Sequence, residues 1–313
     1  MKNIWLVIPC YNEEKVLPET SKRLKIIMER MIEANKISPE SKIVFVNDGS
    51  KDKTWNIIKE LHNENKIFSG INLSRNRGHQ NALLAGLLTS KDYADAVISL
   101  DADLQDDVEV IEKFIDQFYN GYDVVYGVRS SRKKDTFFKR FTAESFYKVM
   151  KFLGVDIVFN HADYRLMSKR ALEGLEKYGE VNLFLRGIVP LIGFPSTIVE
   201  YERNERFAGE SKYPLKKMLA FAFNGITSFS VKPIRMILNI GFMLFFISVA
   251  MMIWSVIAKI VGGTVVGWTS LMISIWMIGG IQLISIGFIG EYIGKIYEET
   301  KKRPRYIIES FLK

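Results

Sequence analysis

Up to about residue 130 the chain alternates short apolar runs with longer segments whose apolar residues return every three or four positions. The runs are Ile4–Ile8, Ile43–Val46, Ile71–Leu73, Ala96–Leu100 and Val124–Val128, rich in β-branched residues and of strand length. Between them Glu13–Ala34, Thr54–Asn65, Asn76–Thr89 and Val108–Asn120 carry helical spacing. Strands that are apolar at nearly every position are covered on both faces, and helices inserted between strands supply that cover. The pattern therefore predicts an α/β domain on a mostly parallel sheet. Ligands of such sheets sit beyond the carboxyl ends of the strands. The polar clusters fall there: Pro9-Cys10-Tyr11-Asn12-Glu13 after the first strand, Asn47-Asp48-Gly49-Ser50 after the second, Asp101-Ala102-Asp103 after the fourth.

Further along, the pattern changes. Residues 131–212 are mixed and more polar, with Arg132, Lys133, Lys134, Lys139 and Arg140 near their start. Tyr213–Arg235 interleaves Leu215, Met218, Leu219 and Phe221 with Lys216, Lys217, Lys232 and Arg235, which suits amphipathic helices in a headgroup layer. Met236–Ala258 and Trp268–Gly290 each run 23 residues without a charge, and about 20 apolar residues cross a bilayer as a helix. Lys259–Gly267, with Gly262, Gly263 and Gly267, reads as a short turn between two spans. Lys232 and Arg235 precede the pair, Lys295, Lys301, Lys302, Arg303 and Arg305 follow it, and only Lys259 lies between. Positive-inside bias then places both chain ends in the cytosol of a multi-pass protein of the plasma membrane. The expected organisation is a cytosolic catalytic domain over 1–212, interfacial helices over 213–235, two transmembrane helices over 236–290 and a cytosolic tail over 291–313. Gly279, Gly280, Gly287 and Gly290 would allow close helix packing, including between subunits of a homo-oligomer.

Composition narrows the chemistry. The net charge of +8, from 43 Lys+Arg against 35 Asp+Glu, is not gathered into a basic stripe, so nucleic acid is not the expected partner. The single cysteine, Cys10, permits no intramolecular disulfide and ends an apolar run, as a buried thiol does. Neither Gly-x-Gly-x-x-Gly nor Gly-x-x-x-x-Gly-Lys-Ser/Thr occurs, which counts against dinucleotide redox and P-loop chemistry. Three widely spaced histidines do not make a zinc site.

Asp101 and Asp103, one residue apart where a strand ends, can turn toward one point in the crevice. Carboxylates so placed repel and raise one another's pKa unless a cation neutralises them. Hard oxygen donors suit Mg²⁺ or Mn²⁺, with waters and diphosphate oxygens completing the shell. Asp106 and Asp107 read as caps of the helix that follows. Asp48 can accept from an amide-like ring N–H while Gly49 lets backbone come close; the same four residues also form a good turn, with Asp52 as a helix cap. Arg129, Arg132, Lys139, Arg140, Arg203, Arg206 and Lys212 are the cations available to a phosphate, whose oxygens guanidinium forks match bidentately.

Taken in order, six motifs make a resemblance. They are Pro9-x-Tyr11-Asn12-Glu13, Asn47-Asp48-Gly49-Ser50-x-Asp52, Arg75-Asn76-x-Gly78, Asp101-Ala102-Asp103, Ala162-Asp163-Tyr164-Arg165-Leu166 and Arg203-x-x-Arg206-x-x-Gly209-x-Ser211-Lys212-Tyr213. The chain resembles the inverting family 2 glycosyltransferases of the GT-A fold. With two C-terminal spans it is similar to their polyprenyl-phosphate branch, which includes bactoprenol glucosyltransferases and dolichol-phosphate mannose synthases. The resemblance runs from about Ile4 to Arg305. It implies that Pro9, Tyr11, Glu13 and Asp48 hold the base and ribose, and that Gly78 opens a helix beside the nucleotide. It also implies that Asp101 and Asp103 place the metal on the diphosphate, Asp103 as direct ligand, that Gln105 faces the donor sugar, and that Asp163 is the acceptor-side carboxylate. Arg129, Arg132, Arg140, Arg206 and Lys212 would take the acceptor phosphate. The implied reaction moves a sugar, glucose first, from a nucleotide sugar (a UDP-sugar first) to polyprenyl phosphate at the cytosolic membrane face. GlcNAc, mannose and a modified pentose stand behind glucose, because none of the motifs encodes the sugar. A lipid monophosphate, with a second pKa of about 6, is mostly dianionic at neutral pH. Asp163 would then orient the acceptor or position Arg165, with base catalysis secondary. A polysaccharide synthase with a hydroxyl acceptor is the rival, and its Gln-x-x-Arg-Trp motif is not found.

Overall fold

A computed structural model describes residues 1–130, 161–180, 184–202, 232–260 and 267–313. The first strands and helices follow the apolar pattern: β1 (Ile4–Cys10), α1 (Leu17–Glu33), β2 (Lys42–Asn47), α2 (Thr54–Glu64), β3 (Phe68–Leu73), α3 (His79–Ser90), β4 (Ala96–Ser99), α4 (Val110–Tyr119) and β5 (Val124–Arg129). All seven residues of β1 are buried because both faces are covered. Ile4, Leu6 and Ile8 point into one core with Leu24 and Met28 of α1 and Phe114 of α4. Trp5 and Val7 point into the other, with Leu83 and Leu84 of α3. Helices begin later than their apolar spacing suggests where the backbone forbids an earlier start. Asn12 at φ 54° and Pro18 near the helix start defer α1 to Leu17, and Gly78 at φ 85° defers α3 to His79.

Among the described residues the domain continues after β5 with β6 (His161–Ser168), α5 (Lys169–Glu176), α6 (Leu185–Leu191), β7 (Ser196–Tyr201) and, at the C-terminus, β8 (Ile308–Leu312). The eight strands form one sheet in the order β7-β5-β6-β4-β1-β2-β3-β8. The β4-β1-β2-β3 core is parallel. β6 lies antiparallel between β4 and β5, and β7 runs parallel to β5. Ser168 ends β6 and caps α5, its Oγ accepting from Ala171 N. Leu172 of α5 and Ile188 of α6 then close the second core.

The C-terminal residues differ from the expected tail. Glu291–Thr300 continue the last long helix, and Ile308–Leu312 form β8, antiparallel to β3 at the sheet edge. Ser69 Oγ donates to Leu312 O at 2.5 Å, Asn72 Nδ2 donates to Glu309 Oε2 at 2.6 Å, and the Phe311 ring lies 6.0 Å from that of Tyr93. Nothing local in the sequence pairs residue 310 with residue 72.

Two long helices join β7 to β8: α7 (Lys232–Ile260) and α8 (Trp268–Thr300). At 1.5 Å per residue they are about 43 and 50 Å long. Lys232–Arg235, expected in the interfacial segment, form the first turn of α7, while 213–231 lie outside the described residues. Large apolar side chains stand exposed along both helices, among them Phe242, Phe246, Leu283 and Ile284. Among the described residues one segment, Met277–Thr300 with a mean hydropathy of 1.4, is long and apolar enough to cross a membrane, and none of it is buried in the protein.

Removing Ile308–Lys313 strips β3 of its edge partner. Two side-chain hydrogen bonds and one ring contact, each worth about 1 kcal/mol, are lost with the ladder. The shortened chain is expected to melt several degrees below the full chain in a circular dichroism melt, and an unchanged midpoint would mean β8 adds no stability.

Candidate active site

Topology gathers the polar clusters on one sheet edge. The carboxyl ends of β2, β1, β4, β5 and β7 and the start of the antiparallel β6 all open there. Across the sheet the order is Asp48 after β2, Tyr11–Glu13 after β1, Asp101–Asp103 after β4, Asp163 on β6, Arg129 ending β5 and Tyr201 ending β7.

At the β1–β2 end, two loops are laced together. Asn12 N donates to Ser50 Oγ at 3.0 Å, Lys51 N to Asn12 Oδ1 at 2.9 Å, and Glu13 N to Thr54 Oγ1 at 2.9 Å. Asn12 takes the left-handed backbone region that asparagine tolerates. Asp48 is buried, and its two oxygens accept the backbone N–H groups of Arg77 (2.6 Å) and Gly78 (3.0 Å). Burial pushes its carboxyl up and those amides only partly offset this. Asp48 thus fastens the 75–78 loop over the strand end. Gly49, at φ 61°, is what lets the loop come so near: a Cβ there would lie 2.5 Å from Asn76 N. The close approach read from the sequence is made by the chain's own backbone. Pro9 is buried within β1, whereas Tyr11 is exposed and Glu13 partly so.

At the centre, Thr20 Oγ1 donates to Ala102 O at 2.7 Å and ties the acidic loop to α1. Gln105 N donates to Asp103 Oδ1 at 3.1 Å, across Leu104 at φ 57°. The Asp101 carboxyl is raised to about 6, first by burial and then by Asp106, Asp163 and Asp103, with His79 opposing. His79 Nε2 lies 3.5 Å from Asp101 Oδ1 and 3.8 Å from Asp163 Oδ2. Excess negative charge on hard oxygens fits a divalent cation. Among the described residues no group of three His, Cys, Asp or Glu closes around one point. Two carboxylates, Asp101 and Asp103, are what this edge has for such an ion, a partial oxygen set of the kind that Mg²⁺ completes with water and phosphate oxygens elsewhere.

On the far side, Asp163 is gripped from two directions. Arg165 Nη2 donates to its Oδ1 at 2.6 Å, while Arg186 donates from Nε to Oδ1 at 3.3 Å and from Nη2 to Oδ2 at 3.1 Å. Burial pushes the Asp163 carboxyl up, but Arg186, Arg165 and His79 together hold it well below the usual carboxylate range. Gln80 adds a donor to Oδ2 at 3.4 Å and accepts Leu185 N, bridging α3 to α6.

The chain matches the family model for glycosyl transferase family 2 over residues 5–175. It belongs to that family. It is 57% identical over 304 residues to the glycosyltransferase YkoT of Bacillus subtilis (strain 168), covering 97% of this chain and 90% of that one. It is 43% identical over 310 residues to the bactoprenol glucosyl transferase of Shigella phage SfX, covering 98% and 99%. It is also 42% identical over 310 residues to the prophage bactoprenol glucosyl transferase homolog of Escherichia coli (strain K12), covering 98% of both.

In this family 2 glycosyltransferase, Asp101, Asp103 and Asp163 converge on the edge expected of a GT-A sheet, with Asp48, Tyr11 and Glu13 beside them. Arg129 is there too, but engaged: its Nη2 donates to Asp106 Oδ1 and its Nε to the Tyr201 hydroxyl, each at 3.4 Å. Arg132, Arg140, Arg206 and Lys212 lie outside the described residues. Asp106 corrects the cap reading. It is buried and accepts the Tyr201 hydroxyl at 2.5 Å, so it ties the acidic loop to the ends of β5 and β7. Asp107 does act locally, accepting Glu109 N at 3.0 Å just ahead of α4. Arg165, two residues from Asp163 on the same strand, pairs with it, as Arg186 does, while Arg170 pairs with Asp123. Sequence reasoning missed His79, Gln80, Tyr201 and Arg186. Arg186 did leave a signal, a lone charge within Phe184-Leu185-Arg186-Gly187-Ile188-Val189.

A Gly49→Ala change adds a Cβ at a positive φ against backbone that cannot give way. A cost of about 1–3 kcal/mol and displacement of the 75–78 loop are expected, read as a lower melting temperature and weaker hydrogen-exchange protection of the Arg77 and Gly78 amides. Wild-type values for both would show that the loop's close approach is dispensable.

Proposed function

We propose that this enzyme transfers a sugar, glucose first, from a UDP-sugar to polyprenyl phosphate at the cytosolic face of a membrane, inverting the anomeric carbon. The observation that carries the reading is the state of Asp163. A hydroxyl acceptor must lose its proton during attack, and a carboxylate held ionised far below its usual pKa is a weak base for that task. A phosphate acceptor is already anionic at neutral pH and makes no such demand. The near full-length similarity to bactoprenol glucosyl transferases supports both the lipid and glucose.

An acceptor phosphate oxygen attacks the anomeric carbon as the bond to the donor's diphosphate breaks on the opposite face. The electron pair leaves with the nucleoside diphosphate. Tyr11, Glu13 and the Asp48-fastened loop, with Pro9 and Gly78 shaping it, hold the nucleotide; Gln105 faces the sugar. Asp101 and Asp103 hold Mg²⁺ or Mn²⁺, which when bound offsets the charge developing on the diphosphate. Arg129, Arg132, Arg140, Arg206 and Lys212 serve the acceptor phosphate.

Membrane attachment follows from α7, α8 and β8 together. Because β8 is hydrogen-bonded into the same sheet as β7, the chain that leaves the catalytic domain returns to it. Any crossing by α7 must then be matched by one in α8, which supports two spans, a non-cytosolic turn and both termini in the cytosol. The exposed apolar side chains of both helices suit lipid contact. Close approach between copies through the α8 glycines would make a homo-oligomer.

The test is the purified full chain with undecaprenyl phosphate, Mg²⁺ or Mn²⁺ and a panel of nucleotide sugars including UDP-glucose, UDP-GlcNAc and GDP-mannose, with mass analysis of the lipid. A hexosyl-phospholipid from UDP-glucose is expected, and no product from any donor overturns the reading. Asp163→Asn is expected to cut turnover about tenfold or more, at least 1.4 kcal/mol in the barrier, while UDP still binds. A lowered folded-state pKa means the Asp163 charge contributes stability above the ordinary carboxylate range, about 3.9, and loses it only as pH falls through the lowered value. The factor lost in Asp163→Asn should therefore be the same at pH 6 and pH 9. A factor that shrinks toward pH 6 would indicate a base titrating in that range.

A further inference from the structure

Arg165 and Arg186 share one carboxylate but differ in access. The Arg165 side chain is 1% exposed, and that of Arg186 is 32% exposed against 8% for Asp163 itself. Arg186 presents Nε and Nη2 side-on to the two Asp163 oxygens, an arrangement that fixes the guanidinium plane. Gln80 reinforces the mount, since it touches Asp163 with one end and the backbone of Leu185, next to Arg186, with the other. A flexible side chain is thus held in one orientation at the edge of the site, by a carboxylate whose two oxygens are already taken by two guanidiniums.

Arg129 is mounted in the same manner on a different carboxylate, the buried Asp106, with the Tyr201 hydroxyl between. β5 and β6 pair at this end, Val128 opposite His161, so Arg129 and the Asp163 that holds Arg186 stand on neighbouring strands. Like charges fixed within electrostatic reach repel, and an anion bridging both relieves the repulsion while matching two planar forks at once. Place along the sheet edge says which anion. The nucleotide end lies at β2 and β1, the diphosphate at Asp101 after β4, and Asp163, Arg186 and Arg129 lie beyond it on the β6–β5 side.

We propose that Arg186 is a phosphate-binding residue for the acceptor, forming with Arg129 the inner half of the clamp on its phosphate monoester, and that Asp163 is the positioning residue that mounts it. This rests on the functional reading above. It adds a residue absent from the sequence-derived set and gives Asp163 a task that acts through another side chain.

Steady-state kinetics of the full chain with undecaprenyl phosphate and the nucleotide sugar it uses test this, alongside UDP binding by calorimetry. Arg186→Gln is expected to raise the KM for undecaprenyl phosphate about tenfold or more, a charged hydrogen bond being worth that much. The donor KM and the UDP Kd should stay within about twofold. Arg186→Lys should recover part of the acceptor KM. Asp163→Asn should show the same acceptor defect, and the double variant should be no worse than Arg186→Gln alone, because the two act as one unit. UDP binding doubles as the check on folding; if Arg186→Gln fails it, the same readouts on Arg186→Lys decide. An unchanged acceptor KM overturns the assignment, and so does a defect in donor KM or UDP binding, which would put Arg186 on the diphosphate. Additive losses in the double variant overturn the positioning role of Asp163. A wild-type enzyme that uses no polyprenyl phosphate overturns the functional reading, and the acceptor assignment with it; wild-type transfer with an indifferent Arg186→Gln overturns the Arg186 assignment alone.

Discussion

Four carboxylates, Asp101, Asp103, Asp106 and Asp163, crowd one edge of the sheet, and the rest of the site is organised around keeping them there. Each is balanced in a different way. Asp163 is neutralised by Arg165 and Arg186, Asp106 by Arg129 and the Tyr201 hydroxyl, and both are buried. Asp101 lies between them, its carboxyl raised to about 6 first by burial and then by Asp106, Asp163 and Asp103. Among the described residues, Arg129 thus stands on the Asp106 side of this cluster, and Arg165 and Arg186 on the Asp163 side.

This division also sets direction along the sheet edge. The β1–β2 loops are joined by backbone-to-side-chain hydrogen bonds and carry charges of both signs. The β4 loop is acidic, and the β6–β5–β7 side is rich in guanidinium. Three chemically different surfaces thus follow one another along the edge. Asp106 joins the second surface to the third, since it belongs to the acidic loop yet bonds to the last residues of β5 and β7.

The C-terminus couples this chemistry to the long helices. Through β8 the chain that follows α8 is hydrogen-bonded to β3 at one edge of the sheet, while α7 comes in the chain after β7, the strand at the other edge. The two ends of the helical pair thus address opposite edges of one sheet.

The sequence by itself determined the parallel core, its two covered faces and the clusters at its strand ends. Each of those depends on residues close together in the chain: uninterrupted apolar runs, helical spacing, and Asp-x-Asp where a strand stops. It also marked Asp48, Asp101, Asp103 and Asp163, which stand in motifs a few residues long. Only the tertiary structure decided the antiparallel β6, the edge strand β8 and the partners of the carboxylates. β6 does alternate polar and apolar positions, but its antiparallel place between β4 and β5 is set by strands distant in the chain, and β8 is specified by pairing with a strand more than two hundred residues away. Asp106 looked like a helix cap because capping is a local signal, whereas its partners, Tyr201 and Arg129, arrive from strands it never neighbours in sequence. Arg186 faces Asp163 only because α6 packs under β6. Local pattern fixes which residues can form an element; which charges meet is settled by how elements far apart in the chain are packed.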